Sequence, residues 1–102
     1  MSEGLHLYSR VMELAGRQIP NTIRKHRRVN GYSQKRLAKQ LGVSTALISH
    51  WERGVTMPGF VNIIKLCVLF EVTPTELYHT LFDRVREYYY QEQETALEYD
   101  TE

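Results

Sequence analysis

The chain has 102 residues, 42% of them apolar and 25% charged, which gives room for one domain with a modest core. Its most apolar stretch, FVNIIKLCVLFEV, is too short to span a bilayer and is broken by Asn62 and Lys65. No N-terminal stretch combines a basic start, an unbroken apolar run and a small-residue cleavage site, so a soluble cytoplasmic protein is expected.

The net charge of +1 conceals a segregation. Residues 21–58 hold eight Lys and Arg against one acid, Glu52, whereas residues 59–102 hold three against nine. A basic block in a nearly neutral chain is an electrostatic footprint for a polyanion, the alternative being a solvated basic face. Cys67 is the only cysteine and sits in an apolar run, so it reads as a small buried hydrophobe in a reducing compartment. His6, His26, His50 and His79 lack metal-ligand spacing, and neither a metal nor a cofactor is expected.

In chain order the sequence reads as helices separated by Gly, Pro, Ser and Thr, with no strand-like alternation. Leu5, Tyr8, Met12, Ala15 and Ile19 predict an amphipathic N-terminal helix that ends near Gly16 or bends at Pro20. A second helix is predicted over about Pro20–Asn30, with Gly31 as its left-handed stop. Ser33 caps a helix through about Leu41, and Ser44 caps another through Arg53, which Gly54 ends. A loop at Met57-Pro58-Gly59 precedes a helix from Phe60 to Phe70. Thr73-Pro74-Thr75-Glu76 is a capping box that starts a last helix, its spacing continuing weakly through Leu77, Leu81 and Val85. Beyond Tyr88 the chain turns polar and acidic, and order there is left open.

The stretch QKRLAKQLGVSTALISHWERG carries the functional signal. On a helix from Ser44, Ile48 and Trp51 share one side, while Ala46, Ser49, His50 and Arg53 share the other with Thr45 at its edge. Leu37, Ala38 and Leu41 face inward from the preceding helix, and Ala38 is small where two backbones would approach. Gly42 can take the left-handed conformation of a sharp turn at no steric cost, and Val43 would plug the corner. This is the pattern of a helix-turn-helix.

From Arg24 to Leu77 the chain resembles the helix-turn-helix family of phage repressors, Cro proteins and related bacterial regulators. The resemblance rests on Ser33-Gln34, Leu37-Ala38, Leu41-Gly42-Val43-Ser44, Ile48-Ser49, Trp51-Glu52-Arg53-Gly54, Pro58, Lys65-Leu66 and Val72. It implies an all-α fold: a compact five-helix DNA-binding domain over residues 20–82 with its motif at 33–54. An extra N-terminal helix over 1–19 and a helical, acidic extension over 83–102 complete the chain.

The resemblance also implies roles for individual residues. Ser44, Thr45, Ala46, Ser49 and His50 would meet base edges, with His50 able to donate to guanine and Ala46 to pack on a thymine methyl. Gln34 would meet phosphate, joined by Arg53 and the backbone near Thr56; Lys35 and Arg36, where many relatives carry acidic residues, are read from their own charge as further phosphate contacts. Lys35 and Arg36 oppose the macrodipole of their helix, which makes sense beside a phosphate. Arg27 would pair with Glu52. Where relatives often carry basic residues after Gly54, this chain has Val55, Thr56 and Met57.

Val61, Ile64 and Val68 form an apolar stripe where relatives are usually polar, to be covered either by the N-terminal helix, which is favoured, or by a partner subunit. Homodimerisation is expected through the last helix, with Leu77, Leu81, Val85, Tyr88 and Tyr89 as interface residues; the alternative for Tyr88–Tyr90 is a fraying tail. The expected function is a sequence-specific repressor of double-stranded DNA at a palindromic operator, bacterial or phage-encoded. The runner-up is an antitoxin that represses its own operon and neutralises a toxin through a terminal extension, and a third reading is a purely protein-binding module. With no paired carboxylates, nucleophile–base set or Gly-rich phosphate loop, an enzyme is not expected.

Overall fold

The computed structural model describes residues 18–100, and their side chains through residue 94. The helix expected from Leu5 to Ala15 lies outside these residues. Among the described residues there are six helices and no strand: α1 (Ile23–Val29), α2 (Gln34–Leu41), α3 (Thr45–Glu52), α4 (Phe60–Phe70), α5 (Pro74–Leu77) and α6 (His79–Asp100).

The turns follow their sequence chemistry. Ser33 accepts the Arg36 N–H at 3.0 Å and Ser44 accepts the Leu47 N–H at 3.1 Å, so α2 and α3 each begin on a side-chain cap. Gly42 lies at φ 73°, the Val43 N–H donates to Ala38 and the Gly42 N–H to Lys39, which closes α2 with a left-handed C-terminal motif. Gly54 repeats the device after α3, again at φ 73°, with the Val55 N–H on His50 and its own N–H on Trp51. There a Cβ would also collide with the backbone of Ile19, whose N–H donates to the Gly54 carbonyl at 2.9 Å. The Thr73–Glu76 capping box forms as expected, each side chain accepting the other's backbone N–H at 3.1 Å.

Two boundaries differ from the expectation, and the entry segment Pro20–Thr22 bears on both. The second helix was expected from about Pro20 but begins at Ile23. Pro20–Thr22 instead enter as a strap: Asn21 donates to Ile19 and Trp51 carbonyls, and its side-chain oxygen accepts the Ile23 N–H. The Thr22 N–H and hydroxyl both donate to the Leu77 carbonyl, at 2.9 and 3.1 Å. That carbonyl is therefore engaged from outside, and the helix starting at Pro74 breaks at Tyr78 before α6 resumes. Five expected helices from residue 20 onward thus become six.

Ile19, Ile23, Leu37, Ala38, Leu41, Ile48, Trp51, Leu66, Phe70, Leu77, Tyr78 and Leu81 form one buried core. Val43 packs against it at the α2–α3 corner. Lys65 from α4 donates to the Leu41 carbonyl at 3.3 Å, placing a cation at the C-terminal end of α2. Cys67 is half-buried rather than fully enclosed, and burial raises its thiol above the ordinary range.

Three expected interface residues are corrected by this packing. Leu77 is 0% exposed and belongs to the core, so it has no surface to offer a second chain. Leu81 is likewise buried in the core, and Tyr88 farther along α6 is buried too. Val85 is half-buried against the core, and only Tyr89 of the five is exposed. The stripe on α4 stands open: Val61 is 63% and Val68 73% exposed, with Ile64 between them also exposed. Whether residues 5–15 cover it lies outside the described residues.

Candidate nucleic-acid interface

The core fixes α3 from one side only. Ile48 and Trp51 are buried, which turns Thr45 and Ala46 fully outward and leaves Ser49 and His50 half-exposed on the same face. Ser44 is exposed too, but its oxygen already accepts the Leu47 N–H of the cap, which fixes where the hydroxyl sits and leaves its O–H and one lone pair for an outward partner. Arg53 and Thr56, just beyond the helix, are exposed. The outward face is narrow, short-chained and polar.

Around it lies the basic block. Arg24, Lys25, Arg28, Lys35, Arg36, Lys39 and Arg53 are all exposed; Arg27 alone is buried. Arg36 lies over the ring of Tyr32 with its guanidinium carbon 4.7 Å from the centroid, a cation–π contact that limits where this exposed charge can go. Tyr32 is in turn 6.4 Å from Phe70, centroid to centroid, so the stack is anchored in the core.

Glu52, the one acid of the block, organises the centre. Its side chain is 0% exposed. Arg27 donates to it through Nε at 2.5 Å and through a terminal nitrogen at 3.2 Å, with its other terminal nitrogen on the Tyr32 carbonyl at 2.9 Å. The expected Arg27–Glu52 pair is thus present as a bidentate bond. Gln34 Nε2 and Arg24 Nε each add a 3.1 Å bond to Oε1 of the same carboxylate. Burial alone would raise this carboxyl, but the hydrogen bonds from Arg27, Gln34 and Arg24, with the Arg27 charge, outweigh it and hold Glu52 below its ordinary value.

The expected site residues therefore fall into three groups. Thr45, Ala46, Ser49 and His50, with Ser44 at their edge, are brought together on one open face. Gln34, Lys35 and Arg36 lie together at the start of α2, although Gln34 is half-buried with one amide hydrogen engaged by Glu52. Ala38, Gly42, Val43, Ile48, Trp51, Arg27 and Glu52 form the frame behind them. Two participants went unread: Arg24, which its spacing of three from Arg27 places on the same side of α1, and Asn21, for which the sequence carries no signal.

Among the described residues no three His, Cys, Asp or Glu side chains gather as a metal site, and no helix is long and apolar enough to cross a membrane. The comparison with curated proteins found no match. A family model described as helix-turn-helix matches residues 23–77, more than half of the chain and the same stretch that builds α1 to α5. The chain belongs to this Cro- and phage-repressor-type helix-turn-helix family and is a DNA-binding regulator.

Proposed function

We propose that the protein is a homodimeric transcriptional repressor in the cytoplasm that occupies a palindromic operator in double-stranded DNA. The observation that carries this reading is the outward face of α3, held by Ile48 and Trp51 and flanked by exposed cations. Thr45, Ala46, Ser49 and His50 meet base edges in the major groove, with Ser44 at the rim. Gln34, Lys35, Arg36, Arg53 and the backbone at Thr56 hold phosphates. No outward residue of α3 itself offers the bidentate Arg–guanine or Gln–adenine pairing, so each base pair contributes discrimination near the lower end, about 1 kcal/mol, and DNA shape adds to it.

In this reading residues 20–82 form the DNA-binding unit and residues 83–102 the extension through which two copies meet. The exposed aromatics of α6, Phe82, Tyr89 and Tyr90, supply the contact, with Val85 beside them. Two copies related by a two-fold axis read half-sites about 34 Å apart.

The test is a selection of bound duplexes from random DNA, paired with sedimentation of the free protein. Enrichment of an inverted repeat with that spacing is expected, and Phe82→Asp with Tyr89→Asp should convert a dimer to a monomer. Binding that enriches no sequence, or a parent protein already monomeric at operator-binding concentrations, overturns the reading. A second reading, an antitoxin that represses its own operon and also holds a toxin, draws on one observation. The stripe of Val61, Ile64 and Val68 is uncovered among the described residues.

A further inference from the structure

Arg24 is the one cation of the basic block whose direction is set by a buried group while its charge remains unspent. Glu52 carries a single negative charge, and Arg27, buried with it, already matches that charge through two bonds. Arg24 adds a second positive charge to the same carboxylate through Nε alone, and the side chain is 48% exposed. Among the described residues its two terminal nitrogens meet no acceptor. The cluster of Arg24, Arg27 and Glu52 therefore holds an excess of one positive charge, presented at the surface by a fork whose base is fixed. A guanidinium fixed at Nε and open at its two ends suits a phosphate, which it can grip with two parallel bonds.

Gln34 is held by the same oxygen. A carboxylate can only accept, so the atom facing Glu52 Oε1 at 3.1 Å must be the amide nitrogen, and the orientation of the Gln34 amide is dictated. One of its two hydrogens is engaged by Glu52, and the other is left to donate. Arg24 and Gln34 thus project donors from neighbouring points on α1 and the first residue of α2, both located by one carboxylate oxygen.

We infer that Arg24 contacts a DNA phosphate together with Gln34, and that the buried carboxylate of Glu52 is the positioning residue that aims both donors at that one phosphate. The inference rests on the DNA-binding reading above and adds a contact residue and a division of labour to it. Arg27 neutralises the carboxylate, and Arg24 carries the charge that reaches the ligand. Without Glu52 both donors would swing on long side chains; with it, the entropy of ordering them is lost at folding rather than at binding.

The experiment compares the parent with Arg24→Ala, Gln34→Ala, the double variant, and Lys25→Ala as a control for generic positive charge. Affinity for one mixed-sequence DNA duplex is measured across a salt series from about 50 to 200 mM, alongside thermal unfolding. Arg24→Ala is expected to make the slope of log K against log salt shallower by about 0.9, and Lys25→Ala, whose direction no buried group sets, to change it by clearly less. If the two donors share a phosphate, the double variant should lose less affinity than the product of the two single losses. Arg24→Ala that lowers the melting temperature while keeping the parent slope would make Arg24 a structural partner of Glu52 only, and overturn the inference. So would losses that multiply in the double variant. A parent protein that binds no duplex even at the lowest salt is a different failure, since it removes the DNA-binding reading itself.

Discussion

The two sides of the molecule are held together by different physics. On the side built by α1, α2 and α3, polar geometry is specified atom by atom: the bonds around Glu52, the ties from Asn21, and the two glycine turns. On the side built by α4, α5 and α6, apolar packing dominates and loose ends remain. Among the described residues the buried Tyr78 hydroxyl finds no hydrogen-bond partner, Glu71 takes the left-handed conformation at φ 55° where no glycine stands, and large apolar side chains face outward. A surface that must present a few side chains at fixed places needs directional bonds behind it, whereas a surface that only fills space does not.

The largest test of this contrast removes its hub. Glu52→Ala leaves Arg27 buried without a counter-charge and should cost about 3–5 kcal/mol in urea unfolding. The same group gives a pH signature. Its folded value is depressed, so its contribution is complete above the ordinary 4.5 and is lost as pH falls through the folded value. The parent should therefore shed stability in acid, and Glu52→Gln should flatten that part of the profile. A Glu52→Ala cost below about 1 kcal/mol would place the polar cluster among ordinary surface pairs.

Next come the two turn glycines, which share a φ of 73° but not their surroundings. At Gly42 an added Cβ meets nothing within 4 Å, so Gly42→Ala should cost only the left-handed strain, about 1–2 kcal/mol. Gly54→Ala must also displace the Ile19 backbone and should cost clearly more by the same denaturation measurement. Equal costs would mean that the contact with Ile19 yields freely.

The smallest effects are gains on the other side. Tyr78→Phe removes a buried hydroxyl that has no partner among the described residues and should stabilise by about 1 kcal/mol. Glu71→Gly relieves the left-handed C-cap of α4 and should stabilise by about 0.5–1 kcal/mol in the same assay. Substitutions that improve α4–α6 while every change at the polar cluster does harm would confirm that the two sides are under different constraints.

What could be read from the sequence was what the chain decides within a few residues. Ser33, Ser44 and the Thr73–Glu76 box announce helix starts, and Gly31, Gly42 and Gly54 announce stops, because caps and left-handed turns are local chemistry. The face of α3 followed from helical spacing, and the Arg27–Glu52 pair from resemblance. What stayed hidden depends on contacts between distant residues. Nothing near Tyr78 signals a helix break; it follows Thr22, more than fifty positions upstream, engaging the Leu77 carbonyl. Glu71 follows the expected helix end at Phe70, and nothing in its side chain announces a left-handed cap. Leu77 and Leu81 looked suited to an interface because an apolar seam reads the same whether it meets a partner or its own core.

The bond from the Ile19 amide to the Gly54 carbonyl has a mechanical consequence. It rivets the point where the chain enters the domain to the hinge between the outward helix and the loop that carries Thr56. A tug on residues ahead of Ile19 has a path to within one peptide unit of Val55 through this one bond, beside the path through the core that the Ile19 side chain joins. Leverage applied at the front end of the polypeptide is thereby geared directly to the rear of the outward helix.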